Sequence, residues 1–491
     1  MIRFQVWANA RSMGWFGHAA GDYFFEYDAQ WLAQPGAYVL APQFPLAPQP
    51  ARGPLVRSFF ENLLPEGEVM EDVLAALQLR NASTLDVLGR MGHELPGVLS
   101  LLPAGAVPLV QQDYRALPLA ELSQRLAGRA ATPLLVSNTE AGMSLAGAQD
   151  KVGLRFDPET KRLYDSVGAS PTTHILKPDT RQPRYQPSAI NAYACMKLAQ
   201  TLKLPVPKVW LLRVPEAAYV VERYDRALAA GNIVSLHQFD GCQLLGHGPG
   251  WKYERSGGLA SLPRLVAALR ALPVRGSDLL QFQRWVMFNY LIGNADAHAK
   301  NLSVLVDDRG HRLAPFYDLL CVRAYGDEGL ALFIGDEETF DAVGAHSWEA
   351  FCADCGFGLA PTLAEFRRMA LALPSAWRKV LRPPLRRKRA SPRPSWPCWR
   401  ACRPSSSGTQ RMPFQWPRPR RASKLQPMIR WFIVIFLTLV CISWVSPLLQ
   451  KLGFGKLPGD LRFRLFGREW FIPLTTTILL SFAASLVSHM L

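Results

Sequence analysis

Hydrophobic and polar positions along this chain fall into three regimes. Up to about residue 377, short apolar runs alternate between a strand-like period of two and a helix-like period near 3.6. From 381 to 427 neither period is present, and from 431 the apolar runs become much longer. In the first regime Tyr23–Tyr27 reads as a half-buried strand behind turn residues at Gly14–Gly21. Five prolines between Pro42 and Pro54 force an irregular stretch. Phe59-Phe60 and Leu63-Leu64 have helical spacing that Pro65 stops, and Val73–Leu79 and Leu85–Leu88 read as short helices. Together they form a small β-rich domain over 1–105 with no evident catalytic group, in which His93 is a structural or surface residue.

The pattern continues through a linker with one helix, Leu117–Leu126. Strands are predicted at Val152–Phe156, Thr173–Pro178, Val206–Val214 and Ala218–Tyr224, with an amphipathic helix at Asn191–Leu202. Where the last strand runs out through Glu222–Arg226, polarity rises sharply, as at a hinge between lobes. Two helices follow, 259–273 and 278–292. The second is apolar nearly all round and therefore buried. Asn301–Val306 and Arg312–Phe316 form a hairpin around the turn Asp307–Gly310, which brings Asn301 and Asp318 to the same end. Residues 347–376 are helical.

Composition changes this picture only at the C-terminal end. The net charge of +16 is concentrated: residues 1–377 hold 34 Lys and Arg against 37 Asp and Glu, whereas 378–430 hold 16 and no acid. The main body therefore has no nucleic-acid-binding charge balance. Eight cysteines in 491 residues form no disulfide framework, and Cys352 and Cys355 lack a second metal-ligating pair nearby, so they read as helix cysteines.

The chemistry gathers at Leu291–Asn301 and Phe316–Asp318. Asp296 and Asn301 make a D-x-x-x-x-N pattern, and Asp318 follows beyond a hydrophobic run. Phosphoryl transfer needs these parts in this order: a carboxylate to take the hydroxyl proton, then an amide and a second carboxylate to hold magnesium. Upstream, Ala146, Gly147 and Ala148 let backbone N–H groups approach an anion. Lys177 sits near the end of the next strand.

Taken in order, Phe59–Gly67, Ser144–Lys151, Thr173–Lys177, Val221–Arg226, His237–Gln243, Asp296–Asn301 and Tyr317–Asp318 resemble the HipA family of bacterial serine/threonine kinases, the toxin half of type II toxin–antitoxin pairs. The resemblance covers about residues 1–375. It implies an α+β, protein-kinase-like two-lobed fold with the small N-terminal β-rich domain, an N-lobe over 130–226 and a C-lobe over 227–380 that stops early. It also implies roles. Residues 144–151 become a phosphate loop, with Ala146, Gly147, Ala148, Gln149 and Lys151 on the nucleotide and Ser144 as the autophosphorylated serine that flips the loop out. Lys177 binds ATP phosphates, Glu222 and Tyr224 hold adenine, Asp296 is the base, and Asn301 and Asp318 bind Mg2+. A protein substrate such as an aminoacyl-tRNA synthetase is implied. So is a HipB-like helix-turn-helix antitoxin, through which DNA is reached indirectly. Ala192 departs from the family, which tends to carry an acid there. Two alternatives stand beside this reading: a small-molecule kinase, and an inactive module that acts by antitoxin or operator binding.

Residues 381–427 are rich in Pro and Arg, cannot bury a core and read as a disordered linker, or as out-of-frame translation. Trp431–Leu449 and Trp470–Leu491 are uncharged apolar runs, each long enough for the ~30 Å bilayer core. They imply a C-terminal transmembrane helical hairpin across a basic turn, Lys456–Arg462, with the kinase body cytoplasmic and attached to the inner membrane through 431–491. Residues 428–491 resemble the DUF2905 family of small bacterial membrane proteins.

Overall fold

The alternation at Tyr23–Tyr27 produces a strand because one face of it meets a helix. β1 (Ile2–Ala8), β2 (Arg11–Ala19) and β3 (Asp22–Tyr27) form an antiparallel meander, followed by α1 (Ala29–Ala33), β4 (Ala51–Arg52), α2 (Pro54–Glu61), α3 (Gly67–Ala76), α4 (Thr84–Met91) and β5 (Leu99–Pro103). The sheet order is β4-β3-β2-β1-β5. Phe60 of α2 stacks on Phe16 of β2 with ring centroids 3.7 Å apart. Each such fully buried aromatic contributes roughly 1.5–3 kcal/mol. Gly14 and Gly17 lie within β2, and the turn is confined to Ala20–Gly21. Gly14 is there for space, since a Cβ would stand 2.0 Å from the Glu26 carbonyl oxygen on β3.

In this computed structural model the described residues are 2–108, 111–137, 144–168, 170–229, 231–307 and 310–380, with a strand pair at 461–465 and 468–472. The chain divides into two units, Met1–Trp416 and Pro417–Leu491.

A second sheet follows. β6 (Asp113–Leu117), α5 (Leu119–Gly128), β7 (Val152–Phe156), β8 (Leu163–Val167), β9 (His174–Pro178), α6 (Ser188–Thr201), β10 (Val209–Val214) and β11 (Glu216–Glu222) give a six-stranded sheet ordered β10-β11-β9-β7-β8-β6. One face carries its own apolar cluster, with Leu122 and Leu126 of α5 against Leu154 and Val220. Against the other packs α6. It is less amphipathic than its sequence suggests, for Asn191, Ala194, Cys195, Met196 and Leu198 are all buried.

The remaining elements are β12 (Arg226–Ala229), β13 (Asn232–Ser235), β14 (His237–Asp240), α7 (Gly241–Leu245), α8 (Leu262–Arg270), α9 (Gly276–Ile292), β15 (Ser303–Asp307), β16 (Gly310–Leu313), β17 (Gly329–Ile334), β18 (Glu337–Thr339), α10 (Ala345–Cys355) and α11 (Leu359–Val380). β14, β15 and β16 form one antiparallel sheet, so the expected hairpin after Asn301 is present. The helical stretch at the end is two helices, divided by a left-handed cap at Gly356. Cys352 and Cys355 are buried on α10.

One core runs from Val6 through α6 and α9 to Ala376. Across it runs a buried ionic cluster. Glu94, just after α4, accepts from Arg223 Nη1 at 3.1 Å, Arg226 Nη2 at 2.7 Å and the Thr172 N–H at 2.9 Å. Arg223 and Arg226 are also paired with buried Asp225, at 2.8 and 3.0 Å.

The C-terminal expectation needs correcting. Within the second unit, β19 (Leu461–Leu465) pairs antiparallel with β20 (Arg468–Ile472). The supposed basic turn thus ends in strand, and the second apolar run opens in strand at Trp470, not in a membrane helix. Leu461–Leu465 alternates, Leu-Arg-Phe-Arg-Leu, which is the period of a strand, whereas Arg-Glu-Trp-Phe-Ile does not alternate and is strand through its pairing with β19. The rest of both runs, and the linker at 381–427, lie outside the described residues. Among the described residues no helix is long and apolar enough to cross a membrane.

Replacing Glu94 by Ala leaves two buried guanidiniums under-compensated. The expected loss is about 3–5 kcal/mol in chemical denaturation, while removing the exposed Arg368–Glu365 pair changes stability by at most about 1 kcal/mol.

Candidate active site

The site is built where α9 ends. That helix buries Phe282, Trp285, Met287, Phe288 and Ile292, so it is a fixed mount, and it stops at Gly293 in the left-handed conformation that helix C-termini favour. Asn289, on its last turn, begins a chain of buried amides. Its Oδ1 accepts from Asn294 Nδ2 at 2.8 Å, and the same Nδ2 lies 3.3 Å from the Asp318 carbonyl. Asn294 Oδ1 accepts the Asp296 N–H at 3.2 Å. The two acidic segments are therefore fixed to each other through one side chain.

Asp296 keeps 42% of its side chain exposed, as a group that must meet a substrate requires. Asn301 donates from Nδ2 to the Asp296 carbonyl at 2.7 Å, which leaves its Oδ1 to accept from or ligate another group. Asp318 holds a left-handed backbone with φ 55°, a conformation that a non-glycine residue adopts at some cost and that clusters at functional sites. Its carboxylate pairs directly with the Lys177 ammonium from β9. Burial alone would raise its pKa, but Lys177 outweighs that and holds it at about 2. Asn301 and Asp318 are hard oxygen donors suited to a magnesium-sized cation.

The small-residue loop closes over one side. Gly147 has φ 106°, and a Cβ there would come within 2.7 Å of Lys151 Nζ, which donates to the Ala146 carbonyl at 2.6 Å. Burial, then the like charge of Lys177, push the Lys151 ammonium down to about 7, while Asp318 and Glu66 pull the other way. Gln149 reaches the Pro178 carbonyl at 3.2 Å.

A cavity of about 690 Å³ takes in Ala146, Gly147, Ala148, Gln149, Lys151, Lys177, Glu222, Tyr224, Asp296, Asn301 and Asp318. Every expected nucleotide, metal and base residue thus lines one space. Ser144 does not. It is fully buried, its N–H on the Glu94 carbonyl at 2.9 Å and its hydroxyl on the Leu63 carbonyl at 2.9 Å. At the hinge, Tyr224 stacks on Tyr317 with centroids 5.2 Å apart and bonds Gln238 at 2.5 Å, so its ring is braced from below. Glu222 accepts from the Lys208 N–H at 3.4 Å.

Four features were not singled out by sequence reasoning. His298, within the Asp296–Asn301 motif, has Nε2 4.0 Å from Asp296 and a buried Nδ1 without a hydrogen-bond partner among the described residues, and burial lowers its pKa. Tyr253 donates its hydroxyl to Asp296 Oδ1. Lys252 and Lys300 pair with Glu66, on the segment between α2 and α3. The imidazole between Asp296 and Asn301 was a signal in the sequence; the other contacts join segments too distant for any periodicity to reveal.

Comparison with known proteins adds to the geometry. A family model for the HipA N-terminal domain matches residues 4–102, and one for the HipA-like C-terminal domain matches 143–377. A third, for a protein family of unknown function (DUF2905), matches 429–491. The candidate kinase Y4mE of Sinorhizobium fredii is 36% identical over 371 residues, 72% of this chain and 86% of that protein. The serine/threonine-protein kinase toxin HipA of Shewanella oneidensis is 30% identical over 396 residues, 77% of this chain and 88% of that protein. A solved complex of Shewanella oneidensis HipA with HipB and operator DNA matches with TM-score 0.66 and 25% identity, covering 77% of this chain and 90% of the matched chain.

The low Lys151 value gives a signed pH dependence. A polyphosphate beside Lys151 restores its charge, so above about pH 7 binding takes up a proton. Affinity for tripolyphosphate, measured by calorimetry, falls as pH rises from about 7 to 9, at most tenfold per unit, and Lys151→Met flattens that slope.

Proposed function

This chain belongs to the HipA family, and on that premise we propose that it transfers the γ-phosphoryl group of ATP to a serine or threonine hydroxyl of a protein. The observation that carries the reading is the convergence of Lys177, Asp296, Asn301 and Asp318 on one cavity, with Lys177 and Asp318 in direct contact. These are the parts that phosphoryl transfer requires.

In the proposed reaction the acceptor oxygen attacks the γ-phosphorus, the bond to the β-phosphate oxygen breaks, and ADP leaves. Asp296 takes the hydroxyl proton. Lys177 turns from Asp318 to the phosphates, and Lys151 and the N–H groups of Ala146–Ala148 hold them from the opposite side. Bound at Asn301 Oδ1 and Asp318, magnesium would offset phosphate charge. Glu222 and Tyr224 form the adenine wall, with Tyr317 supporting the tyrosine ring. Asn191 keeps Asp318 in place from behind, accepting from the Cys321 N–H at 2.9 Å and donating to the Tyr325 hydroxyl at 2.8 Å. Its contacts are complete without an acid at Ala192.

Ser144 is the proposed autophosphorylation site. Its burial, with the hydroxyl on the Leu63 carbonyl, means that residues 144–148 must move before that hydroxyl can react. The likeness to the Shewanella complex supports a HipB-like helix-turn-helix antitoxin as partner, with DNA reached through it. An aminoacyl-tRNA synthetase is the proposed class of protein substrate.

Incubation of the full chain with γ-labelled ATP and magnesium is expected to transfer label to serine or threonine, including Ser144. Asp296→Asn is expected to lower the rate by about 10²–10⁴ while the chain still binds ATP. Undiminished labelling in that variant would remove Asp296 from the mechanism, and a folded chain that transfers no label would refute the kinase reading.

A further inference from the structure

The segment Asn62–Glu66, between α2 and α3 of the N-terminal sheet subdomain, touches both working loops of the cavity. On one side its backbone holds the small-residue loop. Pro65 bridges Gly147 as a parallel strand pair, the Glu66 N–H reaches the Gly147 carbonyl at 3.3 Å, and the Leu63 carbonyl takes the Ser144 hydroxyl at 2.9 Å. On the other side its side chains hold lysines. Glu66 Oε2 is 2.7 Å from Lys252 Nζ, and Oε1 is 3.5 Å from Lys300 Nζ. Lys300 also bonds the Asn62 carbonyl and Oδ1, both at 2.8 Å, and Asp240 at 3.1 Å.

Each lysine is joined in sequence to a working residue of the site. Lys252 precedes Tyr253, whose hydroxyl bonds Asp296, and its carbonyl accepts the Ala299 N–H at 3.1 Å. Lys300 precedes Asn301, and its carbonyl takes the Tyr317 hydroxyl at 2.5 Å, next to Asp318. Among the described residues Glu66 is the one ion-pair partner of Lys252. Burial would make the Glu66 carboxyl harder to ionise, but Lys300 and Lys252 outweigh it and keep it charged.

We propose that Glu66 is a positioning residue for phosphoryl transfer: a carboxylate from the N-terminal subdomain that sets the base and the metal-binding amide by fixing Lys252 and Lys300. Glu66 itself lines the cavity, and the proposed role acts through the two lysines it holds. This inference rests on the kinase reading. Its consequence is that the N-terminal subdomain is part of the catalytic assembly. Glu66→Gln keeps the shape and removes the charge. Lys300 keeps Asp240 and Asn62, so the fold is retained, while Lys252 and with it Tyr253 are released.

The test compares wild type, Glu66→Gln, Lys252→Met and the double variant of the full chain, by steady-state kinetics and by amide hydrogen exchange over residues 252–254 and 296–301. Each single variant is expected to lose about 10- to 100-fold in kcat with KM for ATP unchanged. The double variant should be no slower than the slower single one. Exchange in both segments should quicken in Glu66→Gln. Lys252→Met breaks the same contact from its other end, so the test stands if Glu66→Gln folds poorly. The inference is overturned by kcat retained in both single variants, by kcat and KM changing together in step with lost folded protein, or by losses that multiply. Unchanged exchange overturns it whatever the activity. A wild type that transfers nothing overturns the kinase reading instead, and exchange then decides the inference alone.

Discussion

Charges buried at the seam between the N-terminal sheet and the rest of the body are the constraint on which this molecule depends. Removing an ion from water costs several kcal/mol unless a partner compensates it. Glu94, Arg223, Asp225 and Arg226 satisfy one another beside the hinge, and Glu66, Lys252, Lys300, Asp240 and Asn62 do the same beside the catalytic loop. Neither set can be formed by one part of the chain alone. The N-terminal subdomain supplies the carboxylates Glu66 and Glu94, and the later segments supply all four cations. The hydrophobic core brings these segments together, and the charge pairs restrict how they meet, because a shifted register would leave a buried ion without its partner.

A second consequence concerns the cavity. Lys177 and Asp318 neutralise each other, and Lys151 turns back on the carbonyl of its own loop. Two of the groups proposed to bind phosphate are thus occupied by the protein itself. ATP and a cation entering together can exchange these contacts without stranding a charge, since the ammonium goes to the phosphates and the carboxylate to the metal. Either one alone leaves one member of the pair unsatisfied. Ser144, at the start of that loop, is held on the Leu63 and Glu94 carbonyls, so access to its hydroxyl and closure of the proposed phosphate site are alternatives.

The sequence was most informative where function demands a fixed order of residue types. Asp296, Asn301 and Asp318 were readable because the hairpin between them has a clear two-residue period and the helix before them is apolar all round. The small-residue loop followed from its place ahead of a strand, and Lys177 from its place near the end of one. By contrast, β6 went unread because Asp113–Leu117 is a largely exposed edge with little apolar content. Nothing in the sequence pairs Glu66 with Lys300. Only the tertiary structure shows that Lys300 is buried with Glu66 beside it, from segments 234 positions apart in the sequence. At the other end, apolar run length led to the reading of Trp470 as the start of a membrane helix, whereas that segment pairs as a strand with the alternating Leu461–Leu465. The match of residues 429–491 to a family of unknown function assigns that segment a relationship but no activity.

The central claim is that Lys177, Asn301 and Asp318 form a site for ATP together with a divalent cation. Calorimetric titration of the full chain with ATP, with and without magnesium and in Asp318→Asn, tests it most directly. The account predicts one binding event per chain that requires magnesium and is lost or severely weakened in Asp318→Asn. A folded chain that binds no ATP, or binds it equally well without magnesium and without the Asp318 carboxylate, would contradict it.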